Sequence, residues 1–243
     1  YLVVRCFNFA HNGWVDTVIV IPARMHSTRL HGKPLLRRNG ITLIETVWRQ
    51  CVQTGFDVVV ATDHDDIAME VDSFRGQVAM TSPSSPTGTD RTAEAVYRES
   101  YKYVVNVQGD MPYITPEQIV ECQSIVKQFE VGTLIYDMQE IEMTNPNSVK
   151  CIAVKHNRIK HDIHECKWFG RMAVSYGYHH AGIYSYRMNS LRQFQRLSQG
   201  HFEQLEQLEQ LRWLENGYRV FAKITTPIKG EINTQEDYDT WVS

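Results

Sequence analysis

An α/β fold, doubly wound around a mostly parallel mixed sheet, is predicted for this chain by two features of its sequence. Strand-like and helix-like segments alternate through the first half, and several of the strand-like ones are unbroken apolar runs. A strand that is apolar on both faces is covered on both faces, as in a parallel sheet flanked by helices. A β-α-β-α rhythm builds such a sheet. The 243 residues suffice for one large Rossmann-like domain with a small dimerisation lobe.

Thr17–Ile21 (TVIVI) reads as the first strand and is followed by a polar loop. Leu43–Thr54 carries Leu43, Val47 and Cys51 at helical spacing and ends at Gly55. Asp57–Ala61 (DVVVA) is the second strand. Asp65–Phe74 is a helix with Asp63 or His64 at its N-cap, and Gln77–Met80 a third strand. Thr89–Ser100 reads as a helix and Tyr103–Val107 (YVVNV) as another buried strand. Thr115 before Pro116 opens a helix that runs to about Gln128. The second half is less regular. Val149–Val154 and Tyr178–Tyr186 read as strands around a polar stretch rich in His and Lys. Phe202, Leu205, Leu208, Leu211 and Leu214 predict a single amphipathic helix over His201–Asn216, closed by Asn216-Gly217. Tyr218–Ala222 is a strand, and Thr234–Trp241 a last helix capped by Asn233 or Thr234. No linker composition marks a boundary, so residues 17–243 are read as a single domain and residues 1–16 as an extension of unknown role.

The balance of 25 basic against 28 acidic residues lacks the basic excess of a nucleic-acid binder. No apolar run reaches the length of a membrane span, so no membrane partner is expected. Cys6, Cys51, Cys122, Cys151 and Cys166 are odd in number, widely spaced and without a Cys-x-x-Cys. That pattern predicts free thiols and a reducing, cytoplasmic location.

The segment Ile21–Leu35 (IPARMHSTRLHGKPL) follows the first strand and carries Arg24, Arg29 and Lys33 with Ser27, Thr28 and Gly32 among them. Cations and hydroxyls on one loop suit a triphosphate: arginine grips phosphate oxygens in pairs and lysine adds a compact charge. Loops at the carboxyl ends of parallel strands are where such folds bind ligands. It is not a Walker loop, because no Gly stands at the required spacing before Gly32-Lys33. A second cluster, His156, His161, His164 and Cys166, has the ligand types of a zinc site but not a standard spacing.

The loop closely resembles the P-A-R-x-x-S-T-R-L-x-G-K-P-L signature of the 3-deoxy-manno-octulosonate (Kdo) cytidylyltransferase, or CMP-Kdo synthetase, family. Further matches follow in order: Ala61-Thr62-Asp63, Thr87-Gly88-Thr89-Asp90-Arg91, Asn106-Val107-Gln108-Gly109-Asp110, His180-Ala181-Gly182-Ile183-Tyr184 and Leu208-Glu209-Gln210-Leu211-Arg212. The resemblance spans about residues 17–242. It implies a nucleotidyltransferase domain that moves CMP from CTP to the anomeric hydroxyl of Kdo, releases pyrophosphate, serves lipopolysaccharide or surface-glycan synthesis and works as a homodimer. It further implies that Arg24, Lys33 and Asp110 are catalytic. Pro22, Ala23, Arg24, Ser27, Arg29, Lys33, Thr87, Gly88 and Gln108 would bind the nucleotide, and Gln108, His180, Tyr184, Glu209 and Gln210 the sugar acid. Asp110 and Asn233 would hold Mg²⁺. Without the resemblance, His180 reads as a core or surface histidine, Glu209 and Gln210 as solvated helix positions, and Asp90 with Arg91 as an ion pair in a first helical turn. Trp168, Phe169, Tyr176 and Tyr178 are apolar candidates for the dimer contact.

The chain departs from the pattern at four places. Asn233-Thr234-Gln235-Glu236-Asp237 stands where the family has D-T-P-E-D, which keeps an oxygen ligand but loses its charge. His161–Arg171 lacks the arginine segment that meets the sugar carboxylate, leaving Lys167 or Arg171 as substitutes. Met111 replaces an acidic residue and His31 a proline. Another 2-keto sugar acid, sialic-type or amino-Kdo, is therefore the alternative substrate, and a catalytically weak nucleotide-binding homologue the alternative class. A sugar-phosphate nucleotidylyltransferase is disfavoured because no glycine-rich loop precedes the basic one.

Overall fold

A computed structural model describes residues 16–26, 30–156 and 162–243. The first elements are β1 (Thr17–Ala23), β2 (Arg37–Arg38), β3 (Ile41–Thr42), α1 (Leu43–Val52), β4 (Asp57–Thr62), α2 (Asp65–Ser73), β5 (Gln77–Met80), α3 (Gly88–Ala95), β6 (Tyr103–Asn106) and α4 (Pro116–Ile125). There follow β7 (Val131–Asp137), α5 (Glu140–Thr144), β8 (Lys150–Lys155), β9 (Ile163–Gly170), β10 (Tyr178–Arg187), α6 (Met188–Phe194), α7 (His201–Glu206), α8 (Leu211–Glu215), β11 (Val220–Ile224) and α9 (Gln235–Val242). The chain divides into two compact units: a first that ends at residue 119 and takes in residues 228–243, and a second of residues 120–227.

In the first unit β5, β4, β1 and β6 lie side by side, all parallel. Val18 to Ile21 of β1 and Val58 to Ala61 of β4 are buried on both faces, which is what the unbroken apolar runs required. Side chains close the helix starts and satisfy amides that have no partner within the helix. Thr42 Oγ1 accepts from Glu45 N, His64 Nδ1 from Asp66 N, and Thr87 Oγ1 from Asp90 N. α9 opens with a capping box between Thr234 and Asp237, and its Trp241 is buried with Leu30, Leu43 and Ile232. α3 stops at Ala95, well before the predicted Ser100, because Val96 leaves helical geometry as its side chain enters the core. α4 ends at Ile125 and continues as turns to Phe129.

In the second unit the order is β10-β7-β11-β9-β8, and β8 also pairs with β10, so five strands close on themselves. β7 and β11 are parallel, whereas the β7–β10, β9–β11 and β8–β9 pairs are antiparallel. β9 lies in the stretch that the sequence reading left as polar. β7 is a buried apolar strand with no counterpart among the predicted segments.

The predicted helix over His201–Asn216 is two short helices. Gln207 takes a left-handed conformation (φ 55°) after α7, and Leu208 N donates back to Glu203 O before α8 begins. A strict three-residue apolar spacing explains the error. It drifts by roughly 60° per step around an α-helix, so five members cannot share one face. Leu205 is accordingly 67% exposed, while Leu208 and Leu211 are buried.

His180 lies in the core of the second unit, with Phe169 edge-on at 5.0 Å. Thr133 Oγ1 donates to Ile183 O (2.6 Å), so its single proton is committed, and His180 Nε2, 2.9 Å away, is the donor of their bond. Burial, reinforced by neighbouring His179, pushes the imidazole pKa down from 6.5 to about 3.

Two outcomes follow. Trp241→Ala should cost about 3–5 kcal/mol in chemical denaturation through the cavity it leaves under α9. Folded His180 binds its proton only near pH 3, while the unfolded chain binds it near 6.5. Its stabilising effect is therefore complete above pH 6.5 and is lost as pH falls through that window. His180→Gln should flatten the stability slope between pH 6.5 and 4 by about 1.4 kcal/mol per pH unit relative to the parent. Identical slopes would mean that the ring is protonated in the fold.

Candidate active site

The parallel strands β1 and β6 reach their carboxyl ends at Ala23 and Asn106. Immediately beyond lie Arg24 and the Gln108-Gly109-Asp110 turn, and Thr87-Gly88 opens α3 beside them. Asn233, just ahead of α9, completes a cavity of about 230 Å³ in the first unit. This is the crevice at the carboxyl ends of strands where open α/β sheets bind ligands.

Charge in the cavity centres on Lys33. Gly32 holds φ 64°, a conformation open to glycine at little cost, and its N–H donates to Met25 O. The chain then turns so that Lys33 Nζ lies 2.6 Å from Asp110 Oδ2 and 3.3 Å from Asn233 Oδ1. Ile232 N donates to Asp110 O, which fixes the segment bearing Asn233 against the turn after β6. The second Asp110 oxygen, Oδ1, is buried without a partner. Asp237, a candidate for the missing carboxylate, is committed to its helix start, where its Oδ2 accepts from Asn233 N and Thr234 N. Asn233 Nδ2 in turn donates to Glu231.

These atoms pass the test for a hard divalent cation. Two side-chain oxygens already converge on a positive charge, and a buried carboxylate oxygen faces no donor. Among the described residues no three His, Cys, Asp or Glu side chains form a metal-holding group. Mg²⁺ suits such a place because it keeps several waters and uses one or two protein oxygens together with substrate phosphates.

The cavity wall is fixed by further polar contacts. Gln108 Nε2 donates to Asn106 Oδ1 (3.0 Å), and a Cβ on Gly88 would lie 3.2 Å from Gln108 Oε1. Glu94 accepts from Ser82 N and the Ser85 hydroxyl, shaping the loop that enters α3. Arg91 is buried in the wall and bonded to Asp63 Oδ2 (2.9 Å) and to Thr81. Asp90 bonds Thr87, and Arg91 reaches back to Asp63 at the end of β4.

Pro22, Ala23, Arg24, Lys33, Thr87, Gly88, Gln108, Asp110 and Asn233 therefore line one cavity. Ser27, Thr28 and Arg29 lie outside the described residues. The sequence reading missed Pro34, Ser85, Pro86, Arg91 and Gly109 as lining residues. For Arg91 and Gly109 the signal was present in the quoted motifs. In the second unit, Tyr184 OH donates to Gln210 Oε1 (3.0 Å), and the Tyr184 ring lies 5.2 Å from His180. Gln210 is 3% exposed and its Nε2 has no partner. Glu209 and Gln210 occupy the turn between α7 and α8, not an exposed helix face. The two suggested substitutes for the missing arginine are engaged elsewhere: Lys167 with Glu165, and Arg171 with the carbonyls of Glu206 and Pro146.

Of the apolar dimer candidates, Phe169 is fully buried in its own unit, Trp168 and Tyr178 are half-buried, and Tyr176 is exposed. In the His/Cys cluster, His164 packs against Tyr178 and Cys166 is a buried free thiol beside Cys151, while His161 lies outside the described residues.

A cytidylyltransferase family model matches residues 18–224 and so runs through both units. The chain is 38% identical to the 3-deoxy-manno-octulosonate cytidylyltransferase of Cytophaga hutchinsonii over 92% of this chain and 95% of that one. It is 39% identical to the enzyme of the same name from Paramagnetospirillum magneticum, over 91% and 94%. A solved CMP:2-keto-3-deoxy-manno-octonic acid synthetase complexed with CTP superposes with a TM-score of 0.85 at 30% identity, covering 93% of this chain and 97% of that one. A nucleotidyl transferase from Methanothermobacter, with a TM-score of 0.64 at 16% identity, shares the α/β fold. A likeness this extensive, arriving on a chain whose Arg24 and Lys33 already share one cavity with the Asp110 turn, means that the protein belongs to the cytidylyltransferase family, among the 3-deoxy-manno-octulosonate cytidylyltransferases.

Proposed function

We propose that this chain transfers CMP from CTP to the anomeric hydroxyl of Kdo and releases pyrophosphate. The observation that carries this reading is the cationic cavity in which Lys33 and Arg24 stand with Asp110 and Asn233. Displacement at a nucleotide α-phosphate needs alignment and charge neutralisation more than covalent participation by the protein. Arg24, Arg29 and Lys33 bind the phosphates, and the Thr87–Gly88 turn with Ala23 receives the cytidine. Asp110 and Asn233 hold Mg²⁺, which when bound supplies positive charge to phosphoryl oxygens. The Lys33 ammonium passes from Asp110 to the nucleotide phosphates as CTP enters. Gln108, Tyr184, Glu209 and Gln210 bind the sugar acid. His180, neutral at physiological pH and bonded to Thr133, serves as an uncharged neighbour of Tyr184.

The same reading includes a doubly wound arrangement with a dimerisation lobe, a homodimer, and a place in lipopolysaccharide or surface-glycan synthesis. It extends to a cytoplasmic setting, supported by the four described cysteines being free. Among the described residues no helix is long and apolar enough to cross a membrane. The engagement of Lys167 and Arg171 favours a second reading, in which the acceptor is another 2-keto sugar acid whose carboxylate is met by hydrogen bonds instead of an arginine.

With CTP and Mg²⁺, pyrophosphate release should appear with Kdo, or with a sialic-type or amino-substituted analogue under the second reading. Release with none of them would defeat both. Lys33→Ala and Arg24→Ala should each weaken CTP binding in calorimetric titration at least about tenfold, or 1.4 kcal/mol. Asn233→Asp restores a charged oxygen ligand and should tighten Mn²⁺ binding read by electron paramagnetic resonance. Activity confined to that variant would mark the natural chain as a catalytically weak homologue.

A further inference from the structure

We propose that the buried Glu203–Arg212 pair is a positioning device that aims the Gln210 amide at the sugar acid. The inference rests on the reading above that Gln210 contacts that substrate. Glu203 sits in α7 and Arg212 in α8, on either side of the turn that carries Glu209 and Gln210. Their side chains are 4% and 3% exposed. The guanidinium grips both carboxylate oxygens: Nε lies 3.1 Å from Oε1 and 2.8 Å from Oε2, and Nη2 lies 2.6 Å from Oε1. The face of the Phe194 ring lies 4.1 Å from the guanidinium carbon.

The main chain of Glu203 works at the same turn. Its carbonyl accepts from the N–H of Gln207, which closes α7, and from Leu208 N. One residue thus holds the start of the turn by its backbone and the far side of it by its carboxylate. A second carboxylate makes the reverse connection, as Glu215 of α8 accepts from Phe202 N and Glu203 N of α7. Between these ties Gln207 is kept at φ 55°, a conformation that non-glycine residues adopt infrequently.

The turn ends at Gln210. Tyr184 OH takes its Oε1, which orients the amide plane and leaves Nε2 as a donor, buried and without a partner. A buried amide donor left unpaired is costly and asks for an acceptor. A hydroxyl or carboxylate of a sugar acid is an acceptor of the required kind. Buried ion pairs add little stability over apolar replacements of similar size. Control of the turn therefore explains this pair better than stability does.

The test separates aim from stability. The double variant Glu203→Leu/Arg212→Met replaces the pair with apolar groups, and Arg212→Lys keeps the charge but loses the two-pronged grip. In pyrophosphate-release assays both should raise the KM for Kdo, at least tenfold in the double variant and several-fold in Arg212→Lys. CTP affinity should stay within twofold, and the thermal midpoint within a few degrees. A Kdo KM within twofold of the parent, or equal losses for Kdo and CTP, would overturn the proposal. Should the double variant not fold, Arg212→Lys decides by the same criterion. Failure of the functional reading looks different, because the parent itself would then release no pyrophosphate with Kdo. In that event the Gln210 side-chain amide resonance decides: a shift in Arg212→Lys upholds the positioning role, and an unmoved resonance refutes it.

Discussion

The contact between the Lys33 ammonium and the Asp110 carboxylate, 2.6 Å long, joins segments 77 positions apart, and the 3.3 Å bond to Asn233 adds a third, 200 positions from Lys33. Nothing local holds these residues together. β1 and β6 bring two of the segments to the same end of a parallel sheet, and the burial of Trp241 and Ile232 with Leu30 and Leu43 brings the third. The core thus acts on the chemistry by fixing where three chain segments end. A carboxylate and an amide dipole gathered at one place call for a counter-charge, which here is the Lys33 ammonium.

Polar groups buried in the second unit follow the opposite logic. His180 is neutral because burial outweighs any gain from a proton, and its hydrogen bond is fixed by the commitment of Thr133 to Ile183. Glu203 and Arg212 are buried as a matched pair. Gln210 stands apart from these satisfied groups because its amide nitrogen has no partner.

Much of the first unit was legible in the sequence. β1, β4 and β5 were read within two residues of their observed ends, since unbroken apolar runs and nearby caps depend on neighbours in sequence. The second unit was harder. β9, with His164, Glu165 and Lys167, looks polar until pairing with β8 and β11 satisfies both its edges and packing buries Ile163, His164, Cys166 and Phe169. The split between α7 and α8 was hidden because leucines at three-residue spacing imitate an amphipathic helix. The candidate site was legible as residue types, in the phosphate loop and the Gln-Gly-Asp turn. The partners were not: Arg91 with Asp63, Lys33 with Asp110 and Asn233, and Tyr184 with Gln210 are choices made across space.

By itself the sequence determined the α/β fold class, the cationic character of the segment after β1, and the family, because periodicity and motif order are properties of the chain as written. Only the tertiary structure decided that Lys33 rests between Asp110 and Asn233, that His180 is an uncharged core residue, and that Gln210 keeps an unmet donor. Hydrogen bonding and desolvation depend on which atoms meet and how much water remains. Residues far apart in sequence settle both only when the chain has folded.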